Sequence, residues 1–194
     1  VGVLMAFIAM RLLGMNSTLM SLGGIVVSDS LRVGGDKFDE SIVRFVKKER
    51  NVLIGEPTAE EIKMKVATVF KGNRQAEIEV RGRDLVSGLP TTIKLTSEEI
   101  YRALQEPVSM LVSCVRSVLE KTPPELSSDI IDRGIVLTGG GALLDGMAEL
   151  LQAETGIATI VADSPLECVA VGTGKVLASL QKLKDSVVMT QNKK

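Results

Sequence analysis

The 194-residue chain has a formal net charge of −1, and 45% of its residues are hydrophobic, enough to bury the core of one domain or of two small lobes. It contains no histidine, which excludes Ser-His-Asp and Cys-His catalysis and any histidine-based zinc site. Because 23 basic residues balance 24 acidic ones and aromatic residues make up 3%, no nucleic-acid partner is expected.

The first predicted elements follow an apolar N-terminal segment. Residues 1–20 are interpreted as a leader, because the apolar run before Arg11 is too short to span a bilayer. A β-branched run at residues 24–28 predicts a short strand. Asp36 is then predicted to cap a helix whose apolar residues, beginning with Phe38, recur at helical spacing.

Two capping-box patterns predict the starts of the next helices. Thr58 and Glu61 fit the first pattern, and that helix is expected to end near Phe70. Residues 77–81 and 91–95 alternate apolar and polar side chains, as half-buried strands do. Thr96 and Glu99 fit the second capping box, before a helix expected to reach Lys121.

The last third of the chain alternates strands and helices. Strands are predicted at residues 134–138 and 157–161, and helices at 142–155 and from Pro165 to about 182. Between the first strand and helix lies a tight bend, Gly139-Gly140-Gly141. Because residues 35–106 interrupt this alternation, a small lobe inserted into a larger α/β lobe is expected.

The glycine bend is the chemical candidate of the sequence. Glycines let a phosphate or ribose approach the backbone, and a following helix favours an anion at its N-terminus. The bend is no Walker loop, since no Gly-Lys-Ser or Gly-Lys-Thr follows, and Leu144 stands where a dinucleotide fingerprint has its last glycine. A purely structural tight turn is the alternative interpretation.

Several long motifs resemble the MreB and Mbl family of bacterial actin-like cell-shape proteins. The longest spans residues 122–144 and includes Leu137-Thr138-Gly139-Gly140-Gly141-Ala142. Further matching motifs are Arg32-Val33-Gly34-Gly35-Asp36-Lys37-Phe38-Asp39, Ile54-Gly55-Glu56-Pro57-Thr58-Ala59-Glu60-Glu61-Ile62-Lys63, Arg81-Gly82-Arg83-Asp84-Leu85, Ser87-Gly88-Leu89-Pro90 and Cys168-Val169-Ala170-Val171-Gly172-Thr173-Gly174. The resemblance covers roughly residues 21–180.

The resemblance implies an α/β fold, the second lobe of an actin-like, ribonuclease H-like ATPase with an inserted small α+β subdomain. Residues 21–34 and 107–185 would form the core subdomain and residues 35–106 the inserted one. Residues 186–194 would form a flexible tail.

The resemblance also implies a nucleotide site, with ATP and Mg²⁺ as the family's cofactors. The glycine bend would line the adenosine and phosphate edge, while one helix would pass the ribose and adenine, with Glu60 as a hydroxyl acceptor and Lys63 flanking the base. An ordinary solvated Glu60–Lys63 pair is the alternative. The implied binding residues are Gly139, Gly140, Gly141, Ala142, Ala59, Glu60, Glu61, Ile62 and Lys63. No catalytic residue and no metal ligand is predicted.

The sequence also departs from the family pattern. We find no counterpart of the first phosphate loop, and Arg11, Leu12 and Leu13 stand where the second loop has three glycines. Although the family is a slow ATPase, the expectation for this chain alone is that it does not hydrolyse ATP and that it binds ATP weakly or not at all.

The resemblance implies a cytoplasmic, membrane-associated cytoskeletal protein whose filaments organise cell-wall elongation and rod shape. Its partners would be copies of itself or full-length family members, together with cell-wall elongation proteins at the inner membrane. Two alternatives stay open: a truncated regulatory or non-functional remnant that caps filaments, and a kinase of the same superfamily.

Overall fold

The computed structural model describes Val27 and residues 29–178, with side chains to residue 175. The predicted leader, the predicted tail and most of the predicted strand at residues 24–28 lie outside these residues. The α-helices are α1 (Gly35–Arg50), α2 (Glu56–Val66), α3 (Ser97–Lys121), α4 (Pro124–Arg133), α5 (Met147–Thr155) and α6 (Cys168–Ala178), and a 3-10 helix spans Gly140–Leu143. The strands are β1 (Val52–Leu53), β2 (Glu77–Asp84), β3 (Pro90–Thr96), β4 (Ile135–Leu137) and β5 (Thr159–Val161).

Two small sheets organise these elements. The first is antiparallel with the order β1-β2-β3, and it confirms the two predicted alternating strands. Strand β1 was not predicted, because two residues are too short for a period-2 pattern. The second sheet pairs β4 and β5 in parallel, as expected for strands joined by a helical crossover.

A continuous hydrophobic core lies beneath the helices. Helix α1 contributes Phe38, Ile42 and Val46, which recur every four residues and are at most 1% exposed. Helix α2 contacts α1, and α3 contacts both, so these helices cover the first sheet. The same cluster continues through Ile135 of β4 to Leu151 of α5.

The capping box before α3 is confirmed. The Glu99 side chain accepts a hydrogen bond from the Thr96 amide at 3.0 Å, and the Thr96 hydroxyl accepts one from the Glu99 amide at 3.4 Å. Arg50, at the end of α1, also donates to Glu99. Burial alone would raise the pKa of Glu99, but the hydrogen bonds from Thr96 and Arg50 outweigh it and lower the pKa below its usual value.

Helix α3 is 25 residues long and continues through Pro107. The predicted subdomain boundary between residues 106 and 107 therefore falls inside a helix, and the division itself stays a prediction. Within the residues that the structure describes, no helix combines the length and apolar character that crossing a membrane requires.

Two predicted helix starts were wrong. Helix α2 begins at Glu56, so Thr58 lies inside its first turn and its side chain caps nothing, because Pro57 already suits a first helical turn. Helix α1 begins at Gly35 with Gly34 as the cap residue. Asp36 lies in the first turn, where its negative charge interacts favourably with the positive end of the helix dipole.

The segment after the glycine bend also differs from prediction. The predicted helix over residues 142–155 is divided into the 3-10 helix and α5. Gly146, with φ of 81°, and the extended backbone at Leu144 interrupt it. Helix α4 was not predicted, although Pro124 stands at its first position, where proline suits a helix. Helix α6 begins at Cys168 and not at Pro165.

Candidate functional site

Helix α2 presents two different faces. Ala59 and Ile62 are fully buried in the core, so their side chains cannot reach a ligand and only their backbone remains for the predicted role. Glu60 and Glu61 lie on the exposed side. The Glu61 carboxylate accepts a hydrogen bond from Lys65 at 2.7 Å, an ordinary pair along one helix face. Glu60, the predicted hydroxyl acceptor, has a solvent-exposed side chain.

Lys63 points toward α1. Its ammonium donates to the Asp39 carboxylate at 2.7 Å and to the Gly35 carbonyl at 3.4 Å. The side chains of Lys63 and Asp39 are only 16% and 13% exposed. Lys63 therefore forms a mostly buried ion pair with Asp39, and not the solvated pair with Glu60 that was the alternative. The predicted place of Lys63 beside the base stays a prediction.

The surroundings of Asp39 are acidic. The pKa of Asp39 is raised above its usual value, mainly because the carboxyl is buried. The hydrogen bond and the charge of Lys63 lower this pKa, but the nearby negative charges of Glu60 and Asp36 raise it further. Its Oδ1 atom is buried and, among the described residues, has no hydrogen-bond partner. Lys63 bonds only one of these three carboxylates, Asp39, so the negative charge around Asp39 favours hydroxyl donors and disfavours phosphate.

The glycine bend forms the second predicted segment. Gly139 has φ of 84° and its amide donates to the Pro165 carbonyl at 2.8 Å, so the turn itself explains this glycine. Gly140 has no such φ, and a Cβ there would meet only Leu166 at 3.6 Å, an ordinary contact. Neither conformation nor packing therefore requires glycine at position 140. Ala142 is 3% exposed and belongs to the core.

The structure joins the two segments through the residues that follow them. Thr68, after α2, forms a parallel bridge with Asp145, after the 3-10 helix. The Val69 amide donates to the Asp145 carbonyl at 2.9 Å. Gly146 lies against Phe70, so closely that an added Cβ would be 2.6 Å from the Phe70 Cβ. The helix that carries Glu60 and the turn that carries Gly140 are therefore fixed to each other.

Two concavities lie away from these segments. One of about 510 Å³ includes Arg74, Glu98 and Tyr101 in its lining, and one of about 490 Å³ includes Phe70 and Gln152. Neither is lined by any predicted binding residue. Among the described residues, Glu60 and Glu61 of the candidate surface are exposed to solvent.

Sequence reasoning did not assign a role to Asp39. The sequence did contain an indication of where Asp39 lies, because Asp39 follows Gly35 by four residues and both are therefore on the same helix face. Its partner lies 24 residues away, and neither periodicity nor capping rules report such a contact.

Comparison with known proteins places these features in a family. The sequence profile described as "MreB/Mbl protein" matches residues 14–185, and so begins within the segment interpreted as a leader. The chain is 53% identical over 165 residues to the cell shape-determining protein Mbl of Bacillus subtilis, covering 85% of this chain and 50% of Mbl. It is 53% identical over 159 residues to the cell shape-determining protein MreB of Escherichia coli, covering 82% of this chain and 46% of MreB. The chain thus spans about half the length of these curated relatives.

Solved structures agree on the fold. MreB5 of Spiroplasma citri, solved with AMPPNP, superposes with a TM-score of 0.80 at 36% identity, covering 84% of this chain and 49% of MreB5. The same protein has been solved with ADP. The MamK double helical filament matches with a TM-score of 0.60 at 17% identity over 71% of this chain and 42% of MamK, a likeness of fold alone. The chain belongs to the MreB/Mbl family of actin-like bacterial cell-shape proteins.

Proposed function

We propose that this chain forms the nucleoside-binding side of an actin-like filament subunit. The observation that carries the proposal is the fixed arrangement of Glu60 on α2 and Gly140 in the glycine bend, joined by the Thr68–Asp145 bridge. The relative MreB5 binds AMPPNP and ADP, which supports a nucleotide as the ligand.

The charges of the surface support one orientation of that nucleotide. Glu60, Asp39 and Asp36 outnumber Lys63, so phosphates are disfavoured beside α2 while ribose hydroxyls can donate to Glu60. The open backbone at Gly140 allows the close approach of a sugar or base. The nucleoside would therefore lie along α2 and the bend, with its phosphates directed away from Glu60.

Of the predicted binding residues, Glu60 and Gly140 are the ones proposed to meet the ligand directly. Gly139, Gly141 and Ala142 would shape the bend, and Ala59, Glu61 and Ile62 would shape the helix. In the described part of the chain, no group of three or more acidic or cysteine residues could by itself hold a metal ion. We propose that the 194 residues bind ATP weakly and do not hydrolyse it by themselves.

The family supports a proposal for the cellular role. The relatives are cell shape-determining proteins, and we propose that this chain contributes to membrane-associated filaments that organise cell-wall elongation and rod shape. Its partners would be copies of itself or full-length family members, and elongation proteins at the inner membrane. Residues 35–106 would act as the small inserted subdomain of this half.

Glu60→Ala is expected to weaken ADP binding about tenfold or more. A hydrogen bond to a charged group contributes about 1.5–3 kcal/mol, and each 1.4 kcal/mol corresponds to roughly a factor of ten in affinity. The measurement is an NMR titration of the labelled chain with ADP at millimolar concentrations, which gives the half-saturation concentration even for weak binding.

Glu120→Ala serves as the matched control, because Glu120 is also an exposed helical glutamate but lies near the end of α3. It is expected to leave ADP binding unchanged. Equal effects of the two substitutions, or no effect of Glu60→Ala, would contradict the proposed nucleoside site. Tight binding of ATP by the wild-type chain would contradict the proposed weak binding.

A further inference from the structure

The Asp39–Lys63 pair connects two helices at a defined point. Lys63 leaves α2 and its ammonium binds both Asp39 and the Gly35 carbonyl in the first turn of α1. A Cβ at Gly35 would lie 3.4 Å from the ammonium, an ordinary contact distance, so the ammonium lies directly against the first turn of α1. With both side chains mostly buried, the pair is screened far less than the surface pairs of the same helices.

Both helices also contribute apolar residues to one hydrophobic cluster. Phe38 and Ile42 of α1 and Ile62 of α2 are among the core residues at or below 1% exposure. Apolar contacts are non-directional, so by themselves they define the rotation of a helix about its axis less sharply than a hydrogen-bonded ion pair does. Lys63 lies three residues after Glu60, on a neighbouring part of the same helix surface.

The ammonium of Lys63 is largely occupied by protein groups. Of its three donor protons, one is directed at Asp39 and one at Gly35, and the side chain is 16% exposed. A direct contact with a base would require this arrangement to be given up. The geometry therefore favours an indirect role for Lys63, through the placement of α2.

We infer that Asp39 is a positioning residue of the nucleoside site: it holds Lys63 against α1 and thereby fixes the direction in which Glu60 faces the ligand. The inference rests on the proposed function, because it requires Glu60 to contact the nucleoside. Nothing in it requires Asp39 to touch the nucleotide, which agrees with its buried side chain.

A double-mutant cycle between Asp39→Asn and Glu60→Ala tests this inference, with ADP as the probe. Asp39→Asn alone is expected to raise the ADP half-saturation concentration roughly fivefold, within the range of coupling between residues of one network. In the Glu60→Ala background, Asp39→Asn should have no further effect. A general loosening of the fold would weaken binding in both backgrounds, and that result would overturn the inference.

Two further variants keep the test decisive. Glu49→Gln is the control, because Glu49 is exposed near the other end of the same helix, and it should leave the half-saturation concentration within about twofold of the wild type. The double substitution Asp39→Leu with Lys63→Met replaces the buried charges by apolar groups, a change that often preserves folding. It should reproduce the loss of ADP affinity even if Asp39→Asn folds poorly. Wild-type affinity in this double variant would overturn the inference, whereas an inert Glu60→Ala would overturn the proposed function and the inference together.

Discussion

Replacement of Gly146 by alanine is expected to lower the free energy of unfolding by about 3 kcal/mol or more. Gly146 has φ of 81°, and the left-handed conformation costs other residues about 1–2 kcal/mol. The new Cβ would also lie 2.6 Å from the Phe70 Cβ and 2.8 Å from the Phe70 amide nitrogen, and overpacking of this kind costs about 1–3 kcal/mol. Because Phe70 belongs to the backbone junction between the two site segments, the junction should loosen as well.

Urea unfolding followed by circular dichroism gives this free energy. Gly156 provides the matched control, since it also has a positive φ, 73°, but has no atom within 4 Å of its would-be Cβ. Gly156→Ala should therefore lower the free energy of unfolding by about 1 kcal/mol, because only the cost of the left-handed backbone conformation applies. Equal losses for the two substitutions would show that Gly146 and Phe70 are not in close contact.

Phe38→Ala is expected to destabilise the chain by about 3–5 kcal/mol, the usual range for truncating a buried phenylalanine. Phe38 is 1% exposed on α1, in the core that α1 shares with α2 and α3. Its truncation leaves a cavity directly beside the helix turn that carries Asp39. The measurement is again the free energy of unfolding from urea denaturation.

Phe45 of the same helix is the comparison. It is only partly buried, and the Arg102 guanidinium lies 5.8 Å from the centre of its ring. Phe45→Ala should therefore cost about half as much as Phe38→Ala, because less surface and less packing are lost. A larger loss for Phe45→Ala would mean that the core is centred on a different face of α1.

Local patterns in the sequence determined much of the fold. The spacing of apolar residues located α1, and the alternation of side chains located β2 and β3. The Thr96–Glu99 capping box was also predictable, because both partners of its hydrogen bonds lie within one helical turn. In each case the physical cause acts over a few residues.

The errors arose where a competing local rule or a distant partner decided the outcome. At Thr58 the capping pattern was present, but Pro57 allowed the helix to begin earlier. After the glycine bend, the predicted helix is interrupted at Asp145, whose carbonyl accepts the hydrogen bond of Val69 from a remote part of the chain. Pairing between distant segments leaves no local signature.

In the candidate site, too, local motifs were predictable and contacts between distant segments were not. The glycine bend and the Glu60 helix were recognisable as family motifs, whereas the partner of Lys63 was not. The structure replaced a solvated Glu60–Lys63 pair by a buried link to Asp39. We infer that this link supports the helix that carries Glu60, and a contact of Lys63 with the base stays a prediction.

The central claim is that these residues provide the nucleoside side of a nucleotide cleft, and comparison of adenosine with ADP tests it most directly. In NMR titrations of the labelled chain, both compounds should shift the amide signals of residues 59–63 and 139–142. Their half-saturation concentrations should agree within about threefold, because phosphates gain little beside a surface of three carboxylates. Binding of ADP a hundredfold tighter than adenosine, or shifts confined to other parts of the chain, would contradict the claim.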